Sequence, residues 1–194
     1  MKNFKIGLFG GDGIGPEIMQ EGFKVLKVIE QISDVKFDLI NSPFGASAYF
    51  THGNSFPEES VSLCDEVDAI IKGPIGLSHE ESKKIPIDMQ PERGALLPLR
   101  RLLNTYANYR PVYLPKKLGH FSPLKKEIIA DGIDFIIVRE LVGGLYFGSK
   151  KTGKNSNGKR FVNESLEYDE DQIRNILIKA FELSNSRKRV LHNI

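Results

Sequence analysis

The N-terminal part of the chain combines a short apolar run with a segment in which apolar residues recur at helical spacing. The run Lys5 to Phe9 predicts a buried strand, and the glycine-rich turn from Gly10 to Gly15 follows it directly. From Ile18 to Ile29, apolar residues are spaced by three and four positions, which predicts a helix. Pro16 and Glu17 suit the first turn of that helix, so the pattern predicts strand, glycine turn and helix.

The same alternation continues beyond this helix. Val35 to Asn41 alternates in the manner of a second strand, and residues 43–53 contain proline and glycines that predict a loop. Glu58 to Glu66 predicts a short helix that leads to the apolar strand Ala69 to Ile71, which ends at Gly73 to Gly76. Strands that alternate with helices in this way predict a parallel sheet.

A polar stretch separates this region from the second half of the chain. Leu96 to Tyr106 has apolar and basic residues at helical spacing, and Ala107 to Leu114 is predicted to be extended. A helix from Leu124 to Ala130 precedes the apolar strand Asp134 to Val138. This strand places Arg139 at its carboxyl end, which is where open α/β sheets bind ligands.

The last part of the chain begins with a change in composition. Residues 143–158 are rich in glycine, lysine, serine and asparagine, which predicts a protruding ribbon or mobile arm. Apolar spacing from Ile173 to Leu183 predicts a long amphipathic helix, and another strand is expected to start within residues 187–194. We therefore predict two domains, residues 1–104 and residues 105–194, with the arm at about 143–162.

Composition and charge narrow the class of protein. The 194 residues are 40% hydrophobic and 27% charged, which is typical of a globular chain that can bury a core. A formal net charge of +2 with dispersed basic residues argues against a nucleic-acid partner. No apolar run approaches the roughly 20 residues that a membrane span needs. Because the lone Cys64 cannot form an internal disulfide, we expect a cytoplasmic protein.

Four side chains are candidates for binding and proton transfer. Arg110, Arg139 and one of the adjacent residues Arg100 and Arg101 each offer a planar set of donors, and several guanidinium groups in one cleft would select a substrate with more than one carboxylate. Tyr146 follows them and is a candidate proton donor. For each residue taken alone, a surface salt bridge or a buried aromatic ring is the commoner interpretation.

The glycine turn is a second candidate site. Its spacing differs from the Gly-x-Gly-x-x-Gly dinucleotide fingerprint, so it does not predict a Rossmann fold. One interpretation is a tight turn that needs positive φ, and the other is a ligand-binding loop containing Asp12 and Glu17. The four histidines have no metal-ligand spacing, and we predict no metal site within this chain.

Four segments, in this order, resemble the isocitrate/isopropylmalate dehydrogenase family of β-decarboxylating hydroxyacid dehydrogenases. They are GDGIGPE at 11–17, ERGALLPLR at 92–100, ANYRP at 107–111 and VRELVGGLYFG at 138–148. The resemblance implies an α/β fold with an incomplete parallel-sheet first domain and part of a second α/β domain that carries the arm. The first domain would lie on the cofactor side, and the second would serve substrate binding and dimerisation.

This resemblance also implies the chemistry. Family members oxidise a 2-hydroxy acid with NAD or NADP and a divalent metal, and then lose the carboxylate β to the new ketone. Arg100, Arg110 and Arg139 would bind the malate carboxylates, and Tyr146 would protonate the carbanion or enolate. The residues expected along the cofactor cleft are Asp12, Gly13, Ile14, Gly15 and Glu17 in one loop and Gly73, Pro74, Ile75 and Gly76 in another.

The substrate implied by the resemblance is 3-isopropylmalate, converted with NAD to 4-methyl-2-oxopentanoate in leucine biosynthesis. Leu96 and Leu97 favour an apolar substituent, because isocitrate-specific members carry a serine and asparagine pattern there. The segment from Lys72 to Gly76 departs from the isopropylmalate pattern and is similar to that of isocitrate and malate-type members. A related malate, tartrate or isocitrate-type dehydrogenase is therefore the alternative.

The resemblance covers about the N-terminal half of a family member. It implies that the ligands for Mg²⁺ or Mn²⁺, and a lysine that helps to deprotonate the hydroxyl, belong to segments that this sequence lacks. We therefore expect a truncated or split product, weakly active or inactive alone, that forms a homodimer or pairs with a complementing C-terminal half. A non-catalytic fragment that pairs with another subunit through the arm is the alternative from a different class.

Overall fold

The computed structural model describes residues 2–129 and 131–194, which divide into two compact units. The first unit ends at Leu103 and the second begins at Asn104. Among the helices of these described ranges, none is long and apolar enough to cross a membrane.

A three-stranded parallel sheet forms the centre of the first unit. Its strands are β1 (Lys2–Phe9), β2 (Val35–Ser42) and β3 (Ala69–Lys72), in the order β2-β1-β3. This order confirms the predicted parallel sheet. The helices of the unit are α1 (Gly15–Ile32), α2 (Ala46–His52), α3 (Glu58–Glu66), α4 (His79–Ser82) and α5 (Leu97–Leu102), with a 3₁₀ turn at Ile87–Met89 and a π-helical turn at Pro91–Leu96.

The second half of β1 is buried, and its successive side chains lie on opposite faces of the sheet, so that each face has its own apolar cluster. Ile6 and Leu8 are buried with Met19 of α1 on one face. Phe9 belongs to the cluster on the other face, which includes Leu63 of α3. Two covered faces are what a parallel sheet requires, because the crossover helices lie on both sides of it.

Three phenylalanines form the centre of the second cluster. The rings of Phe9 and Phe44 are stacked with centroids 4.6 Å apart, and Phe56 meets both rings edge-on. The side chains of Phe9 and Phe44 are fully buried. Because Phe44 lies between β2 and α2, this stack holds the connection between them against the central strand.

The second unit contains two antiparallel strand pairs and a long helix. β4 (Ala107–Leu114) pairs with β5 (Ile133–Glu140), and β6 (Lys150–Lys154) pairs with β7 (Arg160–Glu164). The helix α7 (Glu170–Asn185) packs on β5. The remaining elements are the single-turn helix α6 (Lys126–Ile129) and 3₁₀ turns at Lys116–Phe121 and Gly144–Tyr146.

The β6–β7 ribbon spans 150–164, within and just beyond the segment predicted to be an arm. At its base the amide of Ser165 donates to the carbonyl oxygen of Ser149 over 3.0 Å, and the two serine hydroxyl oxygens are 2.8 Å apart. Gly148 lies so close to this base that a Cβ atom there would be 2.0 Å from the carbonyl oxygen of Ser165. The ribbon is therefore closed directly after Gly148.

Two expectations about helices were wrong. Residues 43–53 contain the helix α2 and not only a loop, because Gly45 and Gly53 have φ values of 89° and 70° and flank a helical turn instead of interrupting it. The helix predicted from Leu96 to Tyr106 stops at Leu102. Asn104 has φ of 47°, a left-handed conformation that ends the helix.

Expectations about the second unit also need correction. The strand expected to stop at Val138 continues to Glu140 and is antiparallel to β4, because an apolar run indicates burial and not direction. The helix predicted to end at Ala130 is reduced to α6, and Ala130 itself lies outside the described residues. Residues 187–194, all of them described, contain no strand, and Arg187 instead pairs with Asp134 at the start of β5.

We expect Phe44→Ala to lower the free energy of unfolding by about 3–5 kcal/mol, because it removes a fully buried ring that stacks on Phe9. Urea denaturation followed by circular dichroism measures the change. The matched control is Phe50→Ala on α2, where the ring is 54% exposed and the expected cost is below about 1 kcal/mol. Equal costs for the two variants would contradict the assignment of Phe44 to the core.

Candidate active site

The register of β4 and β5 brings two of the predicted arginines onto one face of the strand pair. Asn108 lies directly opposite Arg139, and Arg110 lies directly opposite Ile137. Opposite residues in an antiparallel pair share a face, so Arg110 and Arg139 are diagonal neighbours on the same side. The Nε atom of Arg110 donates to the side-chain oxygen of Asn108 over 2.7 Å. This bond links the Arg110 guanidinium to the residue that lies opposite Arg139.

On β5, the apolar side chains of the arginine face are more exposed than those of the opposite face. Phe135 and Ile137, which share the face with Arg139, are each 48% exposed. Ile136 and Val138 on the opposite side are only half-exposed or less, in agreement with the packing of α7 on β5. The helix therefore supports the strands from behind and leaves the guanidinium side accessible.

Tyr146 joins this cluster from the 3₁₀ turn at Gly144–Tyr146. The guanidinium carbon of Arg139 lies 5.9 Å from the centroid of the Tyr146 ring, at the outer limit of a cation–π contact. The ring is 54% exposed, so the hydroxyl is accessible to a small molecule. The structure thus brings together three residues that the sequence suggested, Arg110, Arg139 and Tyr146.

Arg100, the remaining predicted arginine, lies on α5 in the first unit. Its positive charge affects the pKa of Lys72, the last residue of β3. Burial lowers the pKa of Lys72, the nearby Arg100 guanidinium lowers it further, and the Asp12 carboxylate opposes both effects. The Nζ atom of Lys72 donates to the carbonyl oxygen of Gly73 over 2.8 Å. In the first unit, therefore, two cations and a carboxylate lie near the carboxyl end of β3.

Asp12 has a structural environment that the sequence did not indicate. Its side chain is 5% exposed, and its two carboxylate oxygens accept hydrogen bonds from the amides of Ser47 and Gly76, over 2.9 and 3.0 Å. Its own amide donates to the carbonyl oxygen of Pro74 over 2.9 Å. Asp12 therefore joins three segments: the glycine turn, the start of α2 and the loop after β3.

The two loops predicted to line the cofactor cleft are in direct backbone contact. A Cβ atom at Gly11 would be 2.1 Å from the carbonyl oxygen of Pro74, and one at Gly73 would be 2.1 Å from that of Gly10. The amide of Gly73 also donates to the carbonyl oxygen of Phe9 over 2.8 Å. These glycines are therefore explained by the packing of one loop on the other, with no need for a ligand.

Gly13 differs from its neighbours in the turn. It has φ of 57°, and among the described residues no heavy atom lies within 4 Å of where its Cβ would be. Gly13 and the exposed residues Ile14 and Glu17 lie beside the carboxyl ends of β1 and β3. Since the chain runs from β1 to β2 on one side and returns to β3 on the other, this is the topological switch point where α/β sheets bind ligands.

A pocket of about 360 Å³ opens beside this point, at the carboxyl ends of β1 and β2. The sequence-based assignment missed its residues, although the rule that ligands bind at the carboxyl ends of parallel strands would have indicated Asn41 and Ser42. The nine predicted cofactor residues lie outside its lining. The lining residues are Leu8, Gly10, Gly11, Pro16, Asn41, Ser42, Pro43, Phe44 and Ser47.

We expect Asp12→Ala to lower the free energy of unfolding by about 2–4 kcal/mol, because two amides lose a buried charged acceptor. Asp12→Asn keeps one acceptor oxygen and should cost about half as much. Urea denaturation measures the total, and hydrogen exchange should accelerate at the amides of Ser47 and Gly76. Asp38→Ala, at an exposed position on β2, is the control. Unchanged exchange at both amides would refute the role assigned to Asp12.

We expect the contribution of Lys72 to stability to become more favourable as pH rises. Its pKa is lower in the folded chain than the usual value of 10.5, so the unfolded chain binds more protons between the lowered pKa and 10.5. Stability relative to Lys72→Met should therefore rise with pH across that window. Urea midpoints at pH 7 and pH about 10 test this, with Lys36→Met at an exposed position as the control. A falling difference would show that the sign is wrong.

Comparison with known proteins identifies the family. The family described as isocitrate/isopropylmalate dehydrogenase matches residues 5–193. Proteins named 3-isopropylmalate dehydrogenase from Buchnera aphidicola subsp. Cinara cedri, Campylobacter jejuni and Aquifex aeolicus are 42%, 39% and 39% identical to all of this chain. The chain spans about half the length of these relatives, 52% in each case.

Solved structures have the same fold. Isocitrate dehydrogenase from Methylococcus capsulatus aligns with a TM-score of 0.71 at 24% identity, over 94% of this chain and 48% of that protein. A β-decarboxylating dehydrogenase from Thermococcus kodakarensis aligns with a TM-score of 0.62 at 25% identity, over 95% and 46%. Because the family match extends over almost every residue, the chain belongs to the isocitrate/isopropylmalate dehydrogenase family.

Proposed function

We propose that this chain supplies the substrate-binding arginines and the proton donor of an NAD-dependent β-decarboxylating dehydrogenase that acts on 3-isopropylmalate. The proposal is supported above all by one observation. Arg110 and Arg139 share the open face of the β4–β5 pair, and Tyr146 lies over Arg139. The names of the relatives support the choice of substrate.

The arginine face suits a substrate with two carboxylates. Guanidinium groups remain charged and bind carboxylates through two parallel hydrogen bonds, which fix orientation as well as position. Because Asn108 accepts from Nε of Arg110, the terminal nitrogens of that guanidinium stay available for a carboxylate. Arg100 on α5, in the first unit, is a further proposed substrate-binding residue.

Tyr146 would supply a proton at the end of the reaction. Oxidation turns the 2-hydroxyl into a ketone, and the carboxylate β to that ketone then leaves as CO₂. The electron pair left on carbon forms an enolate, and the phenol of Tyr146 would protonate that carbon. A general acid of this kind must lie within hydrogen-bond reach of the substrate, and the exposure of the Tyr146 ring and its position beside Arg139 support this role.

The residues of this chain fit the two implied cofactors unequally. At the switch point, Gly13 has no side chain, so the backbone of the turn is accessible to a ligand. The proposed NAD-contacting residues belong to this turn and to the loop after β3; they are Asp12, Gly13, Ile14, Gly15, Glu17, Gly73, Pro74, Ile75 and Gly76. When bound, NAD would supply the oxidant for the carbon that bears the hydroxyl. In contrast, no cluster of three or more His, Cys, Asp or Glu side chains that could hold Mg²⁺ or Mn²⁺ occurs in the described part of the chain.

Specificity for an apolar substituent is proposed to come from the segment that leads to α5. Leu96 closes the π-helical turn and Leu97 begins α5, one turn before Arg100. Apolar side chains at these positions would reject a third carboxylate, because its charge would lose water without gaining a partner. Lys72 is the residue in this unit that favours the alternative, an isocitrate or malate-type substrate, since its half-buried cation is near Arg100.

We further propose that this chain works in the cytoplasm and only when paired. A two-stranded ribbon such as β6–β7 is marginally stable by itself, and its Val162 side chain is 68% exposed, so pairing with another chain would stabilise it. The partner would be a second copy of this chain or a complementing C-terminal half. A purely structural, subunit-pairing role is the second candidate, and the exposed ribbon is the observation that favours it.

The chain alone should produce little NADH from 3-isopropylmalate, NAD⁺ and Mn²⁺. Mixed with the C-terminal segment of the B. aphidicola relative that lies beyond the matched region, it should form a complex and turn over. Sedimentation velocity detects the complex, and NADH absorbance detects turnover. In this mixture, Arg139→Gln should lower kcat/KM by about 100-fold, because it removes a charged partner of the substrate carboxylate.

The matched control is Arg174→Gln. Arg174 is an exposed arginine on α7 that pairs with Glu170 one turn earlier, so its loss should leave kcat/KM within about twofold. A complex without turnover would favour the subunit-pairing role over the enzyme. Turnover that Arg139→Gln leaves unchanged would contradict the arginine face as the substrate site.

A further inference from the structure

We propose that Glu140 is a positioning residue for Tyr146: its carboxylate fixes the glycine turn that carries the phenol and thereby holds the ring over Arg139. The inference rests on the proposed function for the chemical role of Tyr146, whereas the positioning itself is a property of this chain.

Glu140 is the last residue of β5, and its side chain folds onto the turn that follows. One carboxylate oxygen accepts from the amide of Val142 over 2.8 Å, and the other accepts from the amide of Gly143 over 2.9 Å. Both bonds are charge-assisted, and Glu140 is partly shielded from water. The carboxylate therefore acts as a clamp at the exit of the strand.

The other side of the turn is held by Tyr168. A Cβ atom at Gly143 would be 2.7 Å from the Tyr168 ring, and one at Gly144 would be 2.4 Å from its hydroxyl oxygen. Gly144 has φ of 72°, and its amide donates to the carbonyl oxygen of Glu167 over 2.8 Å. The two glycines are thus enclosed between the Glu140 carboxylate and the Tyr168 ring.

Tyr146 is two residues from this enclosed pair. The turn that contains it is closed by the amides of Phe147 and Gly148, which both donate to the carbonyl oxygen of Gly144, over 3.2 and 2.8 Å. The orientation of Gly144 therefore sets the direction of the turn. The ring of Tyr146 is 54% exposed, so little packing holds it in place apart from this turn and Arg139.

The contacts of Glu140 explain why a carboxylate, and not any polar residue, is suited to this place. Each of its two oxygens accepts a hydrogen bond from one of two consecutive amides. A glutamine side chain has only one acceptor oxygen and could replace only one of these bonds. Glu140 also lies next in sequence to Arg139 while its side chain points to the opposite face of β5. Loss of the clamp should therefore release Tyr146 without altering the Arg110 and Arg139 pair.

The test compares Glu140→Ala and Glu140→Gln with Glu127→Gln, an exposed glutamate on α6. In the full chain labelled with ¹⁵N and ¹³C, nuclear magnetic resonance reports the ring-current shift that Tyr146 exerts on the side chain of Arg139, with Tyr146→Leu defining the zero. We expect Glu140→Ala to lose most of this shift and Glu140→Gln to lose part of it. Hydrogen exchange at Val142 and Gly143 should accelerate by about tenfold in Glu140→Ala.

Retained β4 and β5 amide signals in each variant show that the strand pair remains folded. If Glu140→Ala loses these signals, the Arg139 shift measured in Glu140→Gln alone tests the positioning role. In the mixture that turns over, Glu140→Gln should lower kcat by about tenfold with little change in KM, because carboxylate binding persists while proton delivery is misaligned. A loss of stability alone would not produce this split.

An Arg139 shift that is unchanged in both Glu140 variants would overturn the positioning role. If the Arg139 shift depends on Glu140 but the mixture shows no turnover, the positioning role stands and the proposed reaction does not. Equal effects of Glu140→Gln on kcat and KM would also overturn the positioning role, because they would place Glu140 in substrate binding. The two failures are therefore distinguishable.

Discussion

The register between β4 and β5 is the constraint on which the candidate site depends. Guanidinium groups repel each other, and a flexible chain would keep them apart. The antiparallel ladder instead fixes Arg110 and Arg139 as diagonal neighbours on one face, with Asn108 between them as a neutral acceptor. A shift of the register by one residue would place the two arginines on opposite faces, and the cluster would be lost.

A buried carboxylate has the corresponding role in the first unit. Asp12 would be costly to bury by itself, but its two oxygens each accept an amide hydrogen bond, so its charge is compensated. The turn after β1, the start of α2 and the loop after β3 are consequently held as one assembly. The close approach of Gly11 and Gly73 to opposing carbonyl oxygens makes that assembly intolerant of side chains.

Much of this fold could be predicted from the sequence, because periodicity encodes burial. The apolar runs at β1, β2 and β3 and the spacing in α1 and α7 indicated the elements and the parallel sheet. Periodicity does not encode direction or register, so the antiparallel pairing of β5 was missed. The short helix α2 was missed because Gly45 and Gly53, which flank it, are residues typical of a loop. The role of Asp12 as an internal acceptor could not be predicted, because it depends on contacts 35 and 64 residues away in the chain.

The closed base of the β6–β7 ribbon has a mechanical consequence. Gly148 lies against the carbonyl oxygen of Ser165 at the base of the ribbon. Its amide also donates to the carbonyl oxygen of Gly144 in the 3₁₀ turn that contains Tyr146. No flexible spacer separates the two, so the tilt of the ribbon and the aim of the phenol are set by the same few peptide groups. Any force that bends the ribbon at its root therefore reaches Tyr146 within two residues.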